Sequence, residues 1–200
     1  MKRIRVIPVL LLKGDGLYKS LRFKEYRYVG DPINAVKIFN EKEVDELAII
    51  DIAATKENRS PNIKKIGEIA SEAFMPLSYG GGITHIDQVK EIFFNGVEKV
   101  IINKAAVTRP SFITEISHRY GNQSVVVSID IKKDWLGKYK VYTENGKRNT
   151  NLDPVHFAKR CEELGAGEIL LNSIDRDWTY KGYDIGILKQ VSNAVNIPVI

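Results

Sequence analysis

The sequence predicts an α/β protein, a (β/α)8 TIM barrel built from two duplicated half-barrels, and three observations carry that prediction. Short β-branched runs alternate with capped amphipathic stretches, and a repeat returns in a constant frame. The apolar content, 44% of 200 residues, suffices for one core and is too small for two comfortable domains. The runs lie at residues 4–7, 47–50, 99–102, 124–127, 168–171 and 197–200, with a weaker one at 76–79. Strands alternating with helices in this way require a parallel sheet with crossover connections. Asp31-Pro32 and Asp153-Pro154 each place an N-cap acceptor ahead of a proline in the first helical turn, and Ser60-Pro61 and Arg109-Pro110-Ser111 are similar starts. Two segments depart from the alternation. Residues 138–143 followed by Asn145-Gly146 predict a β-hairpin inserted after the fifth strand. Residues 13–30, rich in Gly, Lys and Tyr, read as a long loop without regular structure.

The repeat decides for a barrel over an open sheet. Asp31-Pro32 returns as Asp153-Pro154, a shift of 122 (153 − 31); Glu46 returns as Glu168 and Met75-Pro76 as Ile197-Pro198 in the same frame. Two copies of four β/α units make the eight of a closed barrel. The chain therefore reads as one domain over residues 1–200, with a first half-barrel at 1–121 and a partial second at 122–200. The second copy stops within strand seven, and since such barrels typically need about 250 residues, the expectation is a piece of a longer coding sequence.

Composition excludes several classes. No apolar run is long enough to cross a membrane and no charged-then-apolar leader opens the chain, so no membrane association is expected. The single cysteine, Cys161, fits a reducing cytoplasm. His85, His118 and His156 are scattered without ligand spacing, so neither metal nor cofactor is predicted. The net charge of +5 suits anionic ligands, but no arginine-rich stripe alternates with aromatics, which argues against nucleic acid.

In a barrel the chemistry sits at the carboxyl ends of the strands. Asp130 tops strand five, where a carboxyl in a partly apolar mouth can serve as general acid or base. Asp51 tops strand two, and Asp175 and Asp177 follow strand six. Gly80-Gly81-Gly82, after a strand and before a helix, can bring backbone N–H groups to a phosphate. Asn103 tops the next strand, and Lys19 lies in the 13–30 segment. At the opposite end, Arg5, Glu46, Lys99 and Glu168 fall at or near the amino ends of strands one, two, four and six, where two positive and two negative charges can pair as a ring.

These residues resemble the cyclase subunit of imidazole glycerol phosphate synthase along the whole chain, most specifically in Gly165-Ala166-Gly167-Glu168-Ile169-Leu170-Leu171 and Ser173-Ile174-Asp175-Arg176-Asp177. The resemblance implies a lyase/cyclase subunit of a glutamine amidotransferase heterodimer, with a glutaminase docked on the N-terminal face of the barrel. Ammonia would pass a gate that Arg5, Glu46, Lys99 and Glu168 match residue by residue. Asp130 matches one catalytic aspartate; Lys19, Gly82, Asn103 and Asp177 match substrate positions, and Asp51, Gly81, Lys104, Ser173 and Asp175 complete the expected substrate face. Three positions depart from the family pattern. Leu11 stands where the second catalytic aspartate is expected, Lys104 where a threonine is expected and Trp178 where a glycine is expected. That combination resembles the variant group found with surface-polysaccharide (lipopolysaccharide) genes, whose implied role is to supply ammonia for amidation of a nucleotide-sugar uronic acid. The alternative is a histidine-biosynthesis cyclase acting on a phosphorylated small molecule, making imidazole glycerol phosphate and the aminoimidazole carboxamide ribotide by-product.

Overall fold

The computed structural model describes residues 4–200, and the chain divides into two compact units. The first comprises residues up to 19 together with 27–101; the second comprises 20–26 and 102–200.

The first unit holds β1 (Val9–Lys13), β4 (Leu47–Asp51), β5 (Leu77–Gly80) and the larger parts of β2 (Gly16–Leu21), β3 (Glu25–Gly30) and β6 (Lys99–Ile102), in the order β3-β2-β1-β4-β5-β6; the β2–β3 tip at 20–26 and Ile102 belong to the second unit. The pairs β1–β4, β4–β5 and β5–β6 are parallel. Parallel neighbours need crossovers, supplied here by α1 (Pro32–Glu41), α2 (Ile63–Ala70) and α3 (Ile86–Phe94). Leu47, Ile49, Val89, Ile92 and Val100 are buried in this unit.

The second unit holds α4 (Lys104–Thr108), α5 (Ser111–Tyr120), β7 (Val125–Lys133), β8 (Tyr139–Thr143), β9 (Arg148–Asn149), α6 (Pro154–Glu163), β10 (Glu168–Ser173) and α7 (Ile185–Ala194). The strand β10 runs parallel to β7, while β8 and β9 fold back antiparallel. Phe112, Ile116, Val127, Ile129, Ile169 and Val191 form its core. This is the strand-and-helix alternation of the (β/α)8 barrel class, and the repeat is visible in it. The helices α1 and α6 start and stop in the same 122-residue frame (32–41 and 154–163), and α2 and α7 start in it at Ile63 and Ile185.

The inserted hairpin after the fifth strand is present as β7–β8–β9, turned at Glu144–Lys147 with Asn145 and Gly146 at φ +56° and +75°. Four local expectations change. Residues 13–30 are not a structureless loop but the hairpin β2–β3. Leu11 pairs with Tyr18 and Lys13 with Gly16, so Gly14-Asp15 is a two-residue turn. The first strand begins at Val9, because Pro8 has no N–H for the ladder; its carbonyl still accepts from Ala48 at 2.9 Å. The helix expected to open at Ser60-Pro61 is capped instead by Asn62, whose side chain accepts from Lys65 N–H at 3.1 Å, while Ser60 Oγ accepts from Gln88. Residues 197–200 run along β10, with Val199 opposite Ile169, as one bridge and not a full strand.

The paired caps behave as the sequence indicates. Asp31 accepts from Asn34 N–H at 3.0 Å, and Asp153 accepts from Val155 and His156 N–H at 2.9 and 3.0 Å. Asp153→Ala should therefore lower stability by about 1 kcal/mol, read as a shift of the urea midpoint with an unchanged slope. No shift would mean that water replaces the cap fully.

Candidate functional site

At the amino ends of the first unit's strands, Glu46 receives both cations. Lys99 Nζ donates to its Oε2 at 2.7 Å, and the Arg5 guanidinium donates to Oε1. Glu46 is 8% exposed. Its position is fixed by the short link from α1 into β4, where Asp45 N–H donates to Val6 C=O at 3.2 Å and Val6 N–H donates to the Asp45 carboxylate at 2.8 Å. A carboxylate removed from water is tolerable because each oxygen meets a charged donor. Glu168 occupies the matching first position of β10 in the second unit and is likewise buried.

At the carboxyl end of β4, Asp51 is committed locally. Its carboxylate takes Arg59 in a two-pronged pair at 2.9 and 3.1 Å and accepts from Ala53 and Ala54 N–H at 3.0 and 3.1 Å. That organises the loop from β4 to α2. The glycines after β5 answer to the same loop. A Cβ on Gly81 would lie 2.4 Å from the Asp51 carbonyl oxygen, and one on Gly82 would lie 2.5 Å from that of Arg59. Both also hold left-handed φ values, +116° and +71°. The helix that follows opens only at Ile86. Gly81 and Gly82 thus form a loop closely packed on residues 51–59, with their backbone at the strand end. Lys19 lies exposed on β2, and Leu11 is half-buried in β1 opposite Ile50 and Tyr18.

The second unit gathers the remaining groups. Asp130, in β7 opposite Asn172 of β10, is 9% exposed. Asn103 Nδ2 donates to the Ser128 carbonyl at 2.9 Å and to Asp130 Oδ2 at 3.3 Å, and Ser128 Oγ lies 3.5 Å from Oδ1. Burial pushes the Asp130 carboxyl up to about 7; hydrogen bonds from Ser128 and Asn172 pull it back in part, and the charge of Asp177 raises it. A carboxyl that titrates near neutrality can both give and take a proton at physiological pH.

Asp177 is a clamp. Its carboxylate accepts from Ser20 Oγ at 2.7 Å and Phe23 N–H at 3.2 Å, and its carbonyl accepts from Arg22 N–H at 3.3 Å. These bonds hold the tip of the β2–β3 hairpin, where Arg22 and Phe23 sit at φ +50° and +59°. Asp175 accepts from Lys133 N–H at 3.0 Å. The Ser173 hydroxyl is buried without a hydrogen-bond partner. Lys104 Nζ reaches Glu144 in the β8–β9 turn at 2.9 Å, and the lysine holds that carboxyl below its ordinary value. Trp178 retains φ +47°, a backbone conformation suited to glycine, and its ring lies 6.0 Å from that of Tyr180.

Within the first unit Arg5, Glu46 and Lys99 come together, as do Asp51, Gly81 and Gly82. Within the second, Asn103 joins Asp130, while Lys104 pairs away toward the hairpin. Sequence reasoning missed Asn172 and Arg59. Asn172 was within reach of it, because it shares the alternating β10 face with Glu168. Arg59 lies in an irregular loop, where no period predicts a partner. Among the described residues no cluster of His, Cys, Asp and Glu could hold a metal ion, and no helix is long and apolar enough to cross a membrane.

The family profile described as "Histidine biosynthesis protein" matches residues 5–200. A Pseudomonas aeruginosa protein provisionally named imidazole glycerol phosphate synthase subunit hisF2 is 52% identical over the whole chain, which covers 80% of that protein. A provisionally named HisF subunit of Leptospira borgpetersenii is 49% identical over the whole chain and 79% of its own length. The imidazole glycerol phosphate synthase subunit HisF of Chloroherpeton thalassium is 43% identical over 98% of this chain and 78% of its own.

The Asp130 environment predicts a pH signature. Between 3.8 and about 7 the folded state keeps a proton that the unfolded chain has released, so this group makes stability fall as pH rises through that window. Asp130→Asn should abolish that part of the slope and leave the variant more stable than the parent above neutrality, measured as urea midpoints from pH 4 to 8. Parallel curves for the two proteins would contradict the raised carboxyl.

Proposed function

Since the chain belongs to the imidazole glycerol phosphate synthase cyclase (HisF) family, we propose that it is a synthase subunit receiving ammonia from a glutaminase, and a paralogue that supports amidation of a nucleotide-sugar uronic acid in surface-polysaccharide biosynthesis. The observation that carries this reading is Leu11. An aliphatic side chain stands on β1 where the family resemblance expects the second catalytic aspartate, and a leucine cannot transfer a proton. General acid–base catalysis contributes about 10²–10⁴-fold, so its loss weakens cyclisation directly. Lys104 and Trp178 support the same direction. The lysine is drawn to Glu144, and a bulky ring occupies a position where backbone would approach phosphate.

The ammonia-receiving half of the reading rests on the other end. Glu46 holds Arg5 and Lys99, and Glu168 sits at the matching position of the second copy. Phe74, 88% exposed, lies on the turn ahead of β5, and Phe94, 90% exposed, ends α3 ahead of β6. Phe74 is steadied by its N–H donating to Asn40 at 3.1 Å. Exposed aromatics ahead of two strands' amino ends suit a protein interface there, where the glutaminase would dock.

One observation favours the other reading, a histidine-pathway cyclase: Asp130 keeps a buried carboxyl poised near 7. The two separate in one assay. Full-length protein supplied with ammonium and the phosphorylated ribosyl substrate should form no imidazole glycerol phosphate at ordinary enzyme rates, about 1 s⁻¹ or more. Leu11→Asp combined with Lys104→Thr and Trp178→Gly should raise whatever trace is present by at least about tenfold. Ordinary turnover by the unmodified protein would sink the paralogue reading.

A further inference from the structure

The turn between β7 and β8 presents Trp135 and Leu136 to water, 90% and 57% exposed. Tryptophan is highly buried on average, so this exposure stands out, and the backbone beneath it is firmly held. Asp134 N–H donates to the Lys138 carbonyl at 2.8 Å and Gly137 N–H to the Asp134 carbonyl at 3.0 Å. The Asp134 carboxylate accepts from Leu136 and Lys138 N–H, both at 2.9 Å. Gly137, at φ +77°, closes the turn. The base of the hairpin is fixed as well: Lys133 N–H donates to Asp175, and Tyr139 Oη donates to Asp184 at 2.6 Å. Those bonds join it to the 174–184 loop, which exposes Tyr180 and Tyr183 at 86% and 85%. All of this lies beyond the carboxyl end of β7, on the side to which Asp130 belongs.

Beside the turn the hairpin's own charged side chains are mostly lysines, while Asp175 and Asp184 at its base are engaged by Lys133 N–H and the Tyr139 hydroxyl. Lys132, Lys133, Lys138 and Lys140 flank the turn, and its one acid, Asp134, is engaged by two backbone N–H groups. We propose that Trp135 and Leu136 anchor a protein partner whose apolar pocket is rimmed by carboxylates, docked over the carboxyl end of β7. Large apolar anchors on a fixed backbone, which needs little ordering on binding, are what interface hot spots are made of, and the lysines select an acidic rim. A bilayer fits less well, because two large apolar side chains on one turn bury far less apolar area than the extended face of a membrane-surface helix. The partner's identity rests on the preceding reading: it is the enzyme that consumes the ammonia, which has to sit where ammonia leaves.

The test uses the full-length protein with its glutaminase. Trp135→benzoylphenylalanine is cross-linked in the native cell, and the adduct is identified and its partner purified. The expected result is a discrete adduct with an ammonia-consuming enzyme. Its reconstituted Kd should weaken at least about tenfold with Trp135→Ala, survive Trp135→Phe, and weaken as salt rises from about 50 to about 500 mM. A different protein with the same Trp135 and salt dependence keeps the docking site and overturns the reading of its occupant. The proposal itself is overturned by any of four results: no protein adduct, an adduct with a second copy, Trp135-dependent sedimentation with phosphatidylcholine–phosphatidylglycerol vesicles, or a Kd that Trp135→Ala leaves within twofold.

Discussion

The organisation of this chain follows from one constraint, the burial of its parallel strands on both faces. Strands covered on both sides have no wet face on which to place a charge. The apolar run of β7 from Val125 to Val127, and of β4 from Leu47 to Ile49, is the direct result. Charged and polar groups are then pressed to the strand ends, where helices and loops can supply partners. Glu46, Lys99 and Glu168 collect at amino ends; Asp51, Asn103 and Asp130 collect at or near carboxyl ends. The placing of charged and polar groups at strand ends, away from the apolar middles, is thus a consequence of core burial.

At the carboxyl ends, similar carboxylates reach different states through their partners. Asp51 faces a guanidinium and two N–H donors, so its charge is fully answered. Asp130 meets amide and hydroxyl donors but, among the described residues, no cation; burial and the charge of Asp177 act against its ionisation, and its carboxyl is pushed up to about 7. Asp177 is the most structural of the three, since Ser20 and Phe23 use its oxygens to fix the β2–β3 tip. The three aspartates therefore divide into an organiser, a titrating group and a clamp, and the side chains and N–H groups facing each one distinguish them.

Much of this was legible in the sequence, and for physical reasons. The caps at Asp31 and Asp153, the 122-residue frame and the Asn145-Gly146 turn are local signals, and each reappears at its place in the structure. The β1–β2 hairpin carried a signal too, the Gly14-Asp15 pair, but it was masked by mixed Gly, Lys and Tyr content without clean alternation. Pro8 marked the true start of β1 through its missing N–H, a cue easily lost inside an apolar run. Pairings such as Arg59 with Asp51, Lys104 with Glu144 and Asp177 with Ser20 have no periodic signature. They depend on where loops come to rest, which only the folded chain records.

Trp178 has a consequence for how this sequence can change. Its backbone sits at φ +47°, a region that glycine enters freely and that β-carbon-bearing residues enter at some cost. Tryptophan has a single codon, and one base change converts it to a glycine codon. The step away from the ring is thus short in genetic terms and downhill for the backbone, while the return is uphill. A lineage with no use for an indole at this position would drift out of it quickly. The backbone at position 178 thus favours the change that the ring resists.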